Sequence, residues 1–334
     1  MKISLLNKVI FLSITILFIS CASTPVTEKT AEIIYSEVTT EENDEIEEID
    51  EVIEVKEPEI PQEVLDFYAS LENTNIKIVE APKYVTVGNT FKIPFKISVT
   101  DNQGNPLGNY PISVLVPSGK ENNVVVSKVE NLKTDENGKL SYMPAKTEFA
   151  CKTVISFYPT PVNDDPELLE KALLTNKVSA DYRVRSDLVR KGAVLFVWDF
   201  NEKNKAINNS YELLSEIRSY GIPMVGNAPV NDSSYIGKPV TTLYQENYEI
   251  IEDMYGYLII GTIKFVKPVE PAEDGNGYVC SLIADIKTVN MKNGQEVFSG
   301  TYTNETTGSN WNNAVSTCKK QLSAKIAEDL IYGL

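Results

Sequence analysis

The sequence predicts a multidomain protein in which a β-sandwich is followed by an α/β domain with a mixed sheet. Three observations carry this. Phe91, Ile93, Phe95, Ile97 and Val99 alternate with Lys92, Pro94, Lys96 and Ser98, the period of a strand with one face in a core. Residues 194–198, Val-Leu-Phe-Val-Trp, are unbroken apolar sequence, as in a strand covered on both faces. Trp311, Val315, Cys318, Leu322, Ile326 and Leu330 recur at helical spacing and form one apolar stripe. A chain of 334 residues has room for about two such domains.

The order of segments begins with a signal peptide over residues 1–20. Lys2 and Lys8 precede an apolar run at residues 9–19, and Ser20 and Cys21 follow. As a helix this run spans about 16 Å, short of a bilayer core of about 30 Å. Leu17, Phe18, Ile19, Ser20 and Cys21 together resemble the lipoprotein box of bacterial lipoproteins, with Phe18 where Leu is usual. The resemblance implies acylation of Cys21, cleavage before it, and attachment to the membrane by several acyl chains, palmitate among them. Ala22 and Ser23 stand where Asp would favour inner-membrane retention, so the resemblance implies the outer membrane, facing periplasm or cell surface.

Residues 21–62 are predicted to be a lipidated, acidic, disordered tether. From 22 to 62 there are fourteen Asp or Glu against Lys29 and Lys56. Like charges repel, and too few apolar residues are present to offset chain entropy. The whole chain carries a net charge of −16, so most of the excess sits here. A phosphate backbone would be repelled, which argues against nucleic acid as a partner.

Residues 73–186 are predicted to be the sandwich. The strand at 91–99 contains Pro94, which cannot donate to a ladder, and is expected at an edge. Further strands are expected at 112–116, 124–129, 139–143, 153–158 and 177–184, the last with Val178, Ala180, Tyr182 and Val184 on one face. A short helix is expected to open at Pro166. Asp101, Gly104, Asn105, Pro106 and Gly108, and later Thr134, Asp135 and Gly138, resemble the turn motifs of bacterial immunoglobulin-like domains of the invasin and intimin type. That resemblance implies a spacer or adhesive module. A calcium site on Asp101 and Asp135 competes with a plain turn role, which the absence of an EF-hand loop favours.

Residues 187–334 are predicted to be the α/β domain. Helices are expected at 210–220, ended by Gly221, and at 241–255, with Tyr244, Tyr248, Ile251 and Tyr255 at helical spacing as packing residues or a binding stripe. Strands are expected at 222–225, 257–266, 278–289 and 296–303, the last two joined by a turn at Asn293 and Gly294. The order β-α-β-α-β-β-β-α indicates a layered domain. The pieces VLFVWDF, YLIIGTIKFV and ADIKTVNMKNGQEVFSGTY, with Asp285, Gly294 and Glu296 at the hairpin, resemble the family of the TolB amino-terminal domain, the curli-secretion lipoprotein and the lipoprotein activators of penicillin-binding proteins. The resemblance implies binding or assembly of proteins rather than catalysis.

Chemistry is narrowed further by the absence of histidine. No Ser-His-Asp or Cys-His nucleophile and no HExxH zinc site can be built. Asp199, Glu202, Glu252 and Asp253 are the carboxylates that a glycosidase-like pair would draw on, and their ordinary role is as solvated ends of strands and helices. No cofactor-binding or metal-binding motif is found. Beyond Cys21 the thiols are Cys151, Cys280 and Cys318; Cys280 and Cys318 point towards the same core and are either a disulfide or separately buried thiols. The expectation is therefore a non-catalytic, lipid-anchored envelope protein that binds another envelope protein, against two competitors, a surface adhesin and a carboxylate hydrolase.

Overall fold

The computed structural model describes residues 60–334, Asn123 excepted. The signal peptide, Cys21 and nearly all of the tether lie outside the described residues.

Packed structure begins before residue 73, where the sequence reading opened the sandwich. Helix α1 (Gln62–Glu72) precedes residue 73 and buries Phe67 and Leu71. They pack with Tyr158, Leu168 and Ala172, the last two on α2 (Pro166–Thr175). Pro166 sits in the first turn of α2, and Asp165 caps it by accepting from the Glu167 N–H at 2.8 Å.

Eight strands build two facing sheets. They are β1 (Asn75–Glu80), β2 (Val85–Thr86), β3 (Phe95–Thr100), β4 (Pro111–Glu121), β5 (Val124–Lys133), β6 (Lys139–Tyr142), β7 (Cys151–Pro159) and β8 (Val178–Arg185). One sheet has the order β1-β3-β6, the other β2-β8-β7-β4-β5. Phe95, Ile97 and Val99 of the first share a core with Ile112, Val114, Ile155, Phe157, Tyr182 and Val184 of the second. The alternation on β8 is as expected, with Ala180, Tyr182 and Val184 buried.

The edge position expected for 91–99 is corrected. β3 starts at Phe95, after Pro94, and pairs with β1 on one side and β6 on the other. The missing N–H of Pro94 falls outside the ladder, so it places no limit on the strand that follows. Phe91 is still buried, edge-on to Phe95 and Tyr182.

The two turn motifs work through their aspartates. Asp101 Oδ1 accepts from the N–H groups of Gln103 and Asn105 at 2.9 and 2.8 Å, and Asp135 Oδ1 from those of Asn137 and Lys139 at 2.9 and 2.8 Å. Gly138 closes the second turn at φ +67°, and a Cβ there would stand 2.4 Å from the Val99 carbonyl oxygen.

The remaining chain forms a seven-stranded sheet with helices on both faces. Its elements are α3 (Leu188–Lys191), β9 (Ala193–Phe200), β10 (Ala206–Asn209), α4 (Tyr211–Ser219), β11 (Val225–Asn227), α5 (Val240–Ile251), β12 (Tyr257–Phe265), β13 (Glu270–Pro271), β14 (Tyr278–Asn290), β15 (Glu296–Gly308) and α6 (Trp311–Gly333). The path is β10-β9-β12-β14-β13, with β11 added on β9 and β15 on β14. β9 and β12 are parallel while β12, β14 and β15 are antiparallel, so the sheet is mixed. One face packs Leu195, Val197, Ile259 and Leu282 under α4 and α6; the other packs Val194, Phe196, Leu258 and Val289 under α5.

Three expectations change in detail. α5 ends at Ile251, where Glu252 takes φ +48°, so Tyr255 lies beyond the helix. The short strand expected at 222–225 is β11, which begins only at Val225. Trp311 leaves the apolar stripe of α6: it is exposed, and its indole N–H donates to Glu202 Oε1 at 2.8 Å.

β8 passes directly into α3, and the passage is closed. Ser186 is buried; its N–H donates to the Ile331 carbonyl at 2.6 Å and its hydroxyl to the Leu330 carbonyl at 3.0 Å, both on α6. Lys152 of β7 pairs with Glu328 at 2.5 Å, and Lys120 of β4 donates to the Gly333 carbonyl at 3.1 Å.

Candidate functional site

The four carboxylates singled out in the sequence are not assembled. Asp199 lies at the carboxyl end of β9, and Glu202 follows it. Glu252 and Asp253 precede β12, at the opposite end of the sheet, because parallel β9 and β12 pair Ala193 with Tyr257 and Asp199 with Ile263. Six strand steps separate the two groups, about 20 Å, well beyond the reach of a paired-carboxylate mechanism.

Asp199 is fully buried and pairs with Lys319 Nζ of α6 at 2.7 Å. Burial pushes its carboxyl above the ordinary range, and Lys319 pulls the other way. Its Oδ1 has no partner among the described residues. The pair ties the end of the central strand to the long helix.

Asp101 spends both oxygens and Asp135 its Oδ1 on their own turns, and Asp101 is held below its usual value chiefly by the Asn105 side-chain amide. Tyr244, Tyr248, Ile251 and Tyr255 are half-buried against Val194, Phe196 and Met291 and so serve as packing for α5. Among the described residues, no three acids or cysteines gather as a metal site would require, and no helix is long and apolar enough to cross a membrane.

Cys280 and Cys318 meet in the core between β14 and α6, both fully buried and both thiols. Cys318 Sγ lies 3.3 Å from the carbonyl oxygens of Cys280 and Asn304, and the Asn304 amide donates to it at 3.5 Å. The contact between the two thiols draws Cys318 down and holds Cys280 up. Cys151 is remote, on β7, and burial raises it to about 11.

One cluster was not found from the sequence. A hollow of about 600 Å³ opens between the β1–β2 connection, the outer face of β8 and the end of α6. Pro82, Lys83 and Tyr84 form one wall, Arg183 and Arg185 another, and Tyr332 a third. The Arg185 guanidinium lies 3.6 Å over the Tyr84 ring, and its Nη1 donates to the Tyr220 carbonyl at 3.1 Å. Its only sequence signal is two arginines two residues apart on the outward face of a strand.

With this geometry in place, similarity to known proteins narrows the class. Residues 192–331 match the family model "TP0693-like lipoprotein, C-terminal domain". No curated protein matches the chain. Among solved structures it is similar to the PelC dodecamer from Paraburkholderia phytofirmans, with 20% identity, TM-score 0.26, and 41% of this chain and 84% of that one covered. It is also similar to the lipoprotein GNA1162 from Neisseria meningitidis, with 16% identity, TM-score 0.25, and 41% and 96% covered. A third likeness is to the hypothetical protein CT253 from Chlamydia trachomatis, with 12% identity, TM-score 0.28, and 42% and 93% covered. Likenesses of this size carry no statement about ligand, assembly or activity. Residues 192–331 are therefore similar to a lipoprotein domain family, which agrees with the coarser half of the sequence reading.

Proposed function

We propose that the chain is a lipid-anchored, non-catalytic protein of the bacterial envelope that works as a protein-interaction or assembly module. The observation that carries this reading is the match of residues 192–331 to a lipoprotein domain family. Cys21, directly after an apolar run of signal-peptide length, is the residue that would carry the lipid. Ala22 and Ser23 favour the outer membrane. The facing sheets act as an immunoglobulin-like spacer, and the α/β part acts as a TolB-like binding module.

The placement of the ends supports a spacer. Helix α1, the first described element, packs on Tyr158 near the end of β7. The α/β part holds the other end of β7, through Lys152 and Glu328. The nine residues of β7 span about 30 Å. The α/β part is thereby held about a strand length from α1.

Metabolic labelling with palmitate tests the anchor. The native chain is expected to take up label, and Cys21→Ser to lose it together with membrane association. Undiminished labelling of the variant overturns the anchor. Site-specific crosslinking from the exposed surface of residues 192–331 in living cells is expected to capture a discrete envelope protein. Hydrolytic turnover of an envelope polymer by the purified chain would replace the non-catalytic reading.

A further inference from the structure

We propose that the hollow beside β8 is an oxyanion-binding site, built to take a carboxylate or a phosphate monoester on Arg183 and Arg185. It rests on geometry alone and does not depend on the anchor. The chain is acidic overall, with a net charge of −16, yet this hollow is lined by Lys83, Arg183 and Arg185 against Asp181 alone. Arg183 is partly satisfied, its Nη2 pairing with Asp181 at 2.5 Å. Neither Arg185 nor Lys83 is paired with a carboxylate among the described residues. Arg185 is half-buried, and a charge partly withdrawn from water calls for a counter-ion.

The donors that remain free have the geometry of a fork. Arg185 spends Nη1 on the Tyr220 carbonyl, leaving its Nε side unused. The Nε–H groups of both Arg183 and Arg185 are shielded from water and lack an acceptor among the described residues. A shielded donor without an acceptor is a standing cost that a ligand oxygen would remove. The Nε side of a guanidinium is also the side that grips two oxygens of one carboxylate or phosphate. The bond from Nη1 to the Tyr220 carbonyl holds the Arg185 guanidinium before the ligand arrives, so less rotamer freedom is lost on binding. Tyr84 is exposed, so its ring is free to swing and admit the anion to the Nε side. Pro82, Tyr84 and Tyr332 then offer apolar surface to the body that carries the anionic group.

The test uses the full chain in neutral detergent and reads thermal unfolding at constant ionic strength while chloride is exchanged for inorganic phosphate or acetate. A saturable rise in Tm with at least one of these anions is expected. Phosphate alone raising it marks a phosphoryl ligand, and acetate raising it marks a carboxylate. Arg185→Lys keeps the charge but loses the fork, and is expected to fold and to lose the response. Arg183→Gln is expected to weaken the response at least tenfold in anion concentration, and it carries the test if Arg185→Lys fails to fold. Lys203→Gln, remote from the hollow, is expected to respond like the native chain. No rise with either anion, or a rise undiminished in the arginine variants, overturns the site.

Discussion

The facing sheets and the seven-stranded sheet solve the same burial problem in different ways. In the first region both sheets share one core around Phe95, Ile112, Phe157 and Tyr182, and their outer faces are largely wet except where α1 and α2 cover Leu115 and Tyr158. In the second, β9 and β12 are covered on both faces, so two cores lie on either side of one sheet. A one-core sandwich depends on turns to bring its sheets together. A two-faced sheet depends on its helices, and α6 above all contributes to the larger core and holds the buried Asp199–Lys319 pair.

The largest expected effect tests that dependence on α6. Lys319→Ala leaves a buried carboxylate alone and is expected to cost about 3–5 kcal/mol, measured by denaturant unfolding. Lys319→Met with Asp199→Asn is expected to recover most of it. Recovery would show that the cost lies in the orphaned charge and not in lost packing.

Next comes a matched pair of cavities. Leu322→Ala in the larger core and Ile112→Ala in the sandwich are each expected to cost about 2–5 kcal/mol. Because Ser186 joins the regions, a single unfolding transition is expected for both variants. Two separated transitions in either would show that the regions unfold independently. Limited proteolysis gives the same contrast: cleavage at Ser186, between the two regions, is expected to be slow because its backbone is buried and bonded.

A smaller effect concerns pH. Asp199 has a raised carboxyl in the folded state, so the folded chain holds its proton more tightly than the unfolded chain. That contribution is fully present below the ordinary carboxylate range and is lost as pH rises through the folded value. Asp199→Asn is expected to flatten this part of the stability–pH curve, a change read by chemical denaturation at pH 4 to 7 in steps of about one unit. An unchanged slope would remove Asp199 as its source. Smallest is Lys96→Ala, which breaks a surface pair with Glu80 and is expected to stay within about 1 kcal/mol.

The two regions also differed in what could be read from their residues. The α/β region was legible in its longer elements, though not in α3, β10 and β13, because an unbroken run such as residues 194–198 and a turn such as Asn293–Gly294 are local signals. The approach of Cys280 to Cys318 was legible too, since each sits on an apolar period that must face the other. In the sandwich, Pro94 misled because the alternation at 91–99 runs on past the true start of the strand, and period alone does not say where pairing begins. Helix α1 carried a readable spacing in Val64, Phe67, Tyr68 and Leu71, hidden beside the acidic run that precedes it. The hollow on β8 had only Arg183 and Arg185 as a local sign. Tyr84, Arg185, Tyr220 and Tyr332 are brought together only by tertiary packing, which no window of sequence contains.

Ser186 also has a mechanical meaning. A connection that is buried and bonded on both its N–H and its hydroxyl removes the pivot that a flexible joint would supply. A tilt imposed at α1 is then transmitted along β7 and β8 to α6 without being absorbed on the way. The facing sheets and the α/β part then turn together, and the direction in which residues 192–331 point is set by how α1 is held.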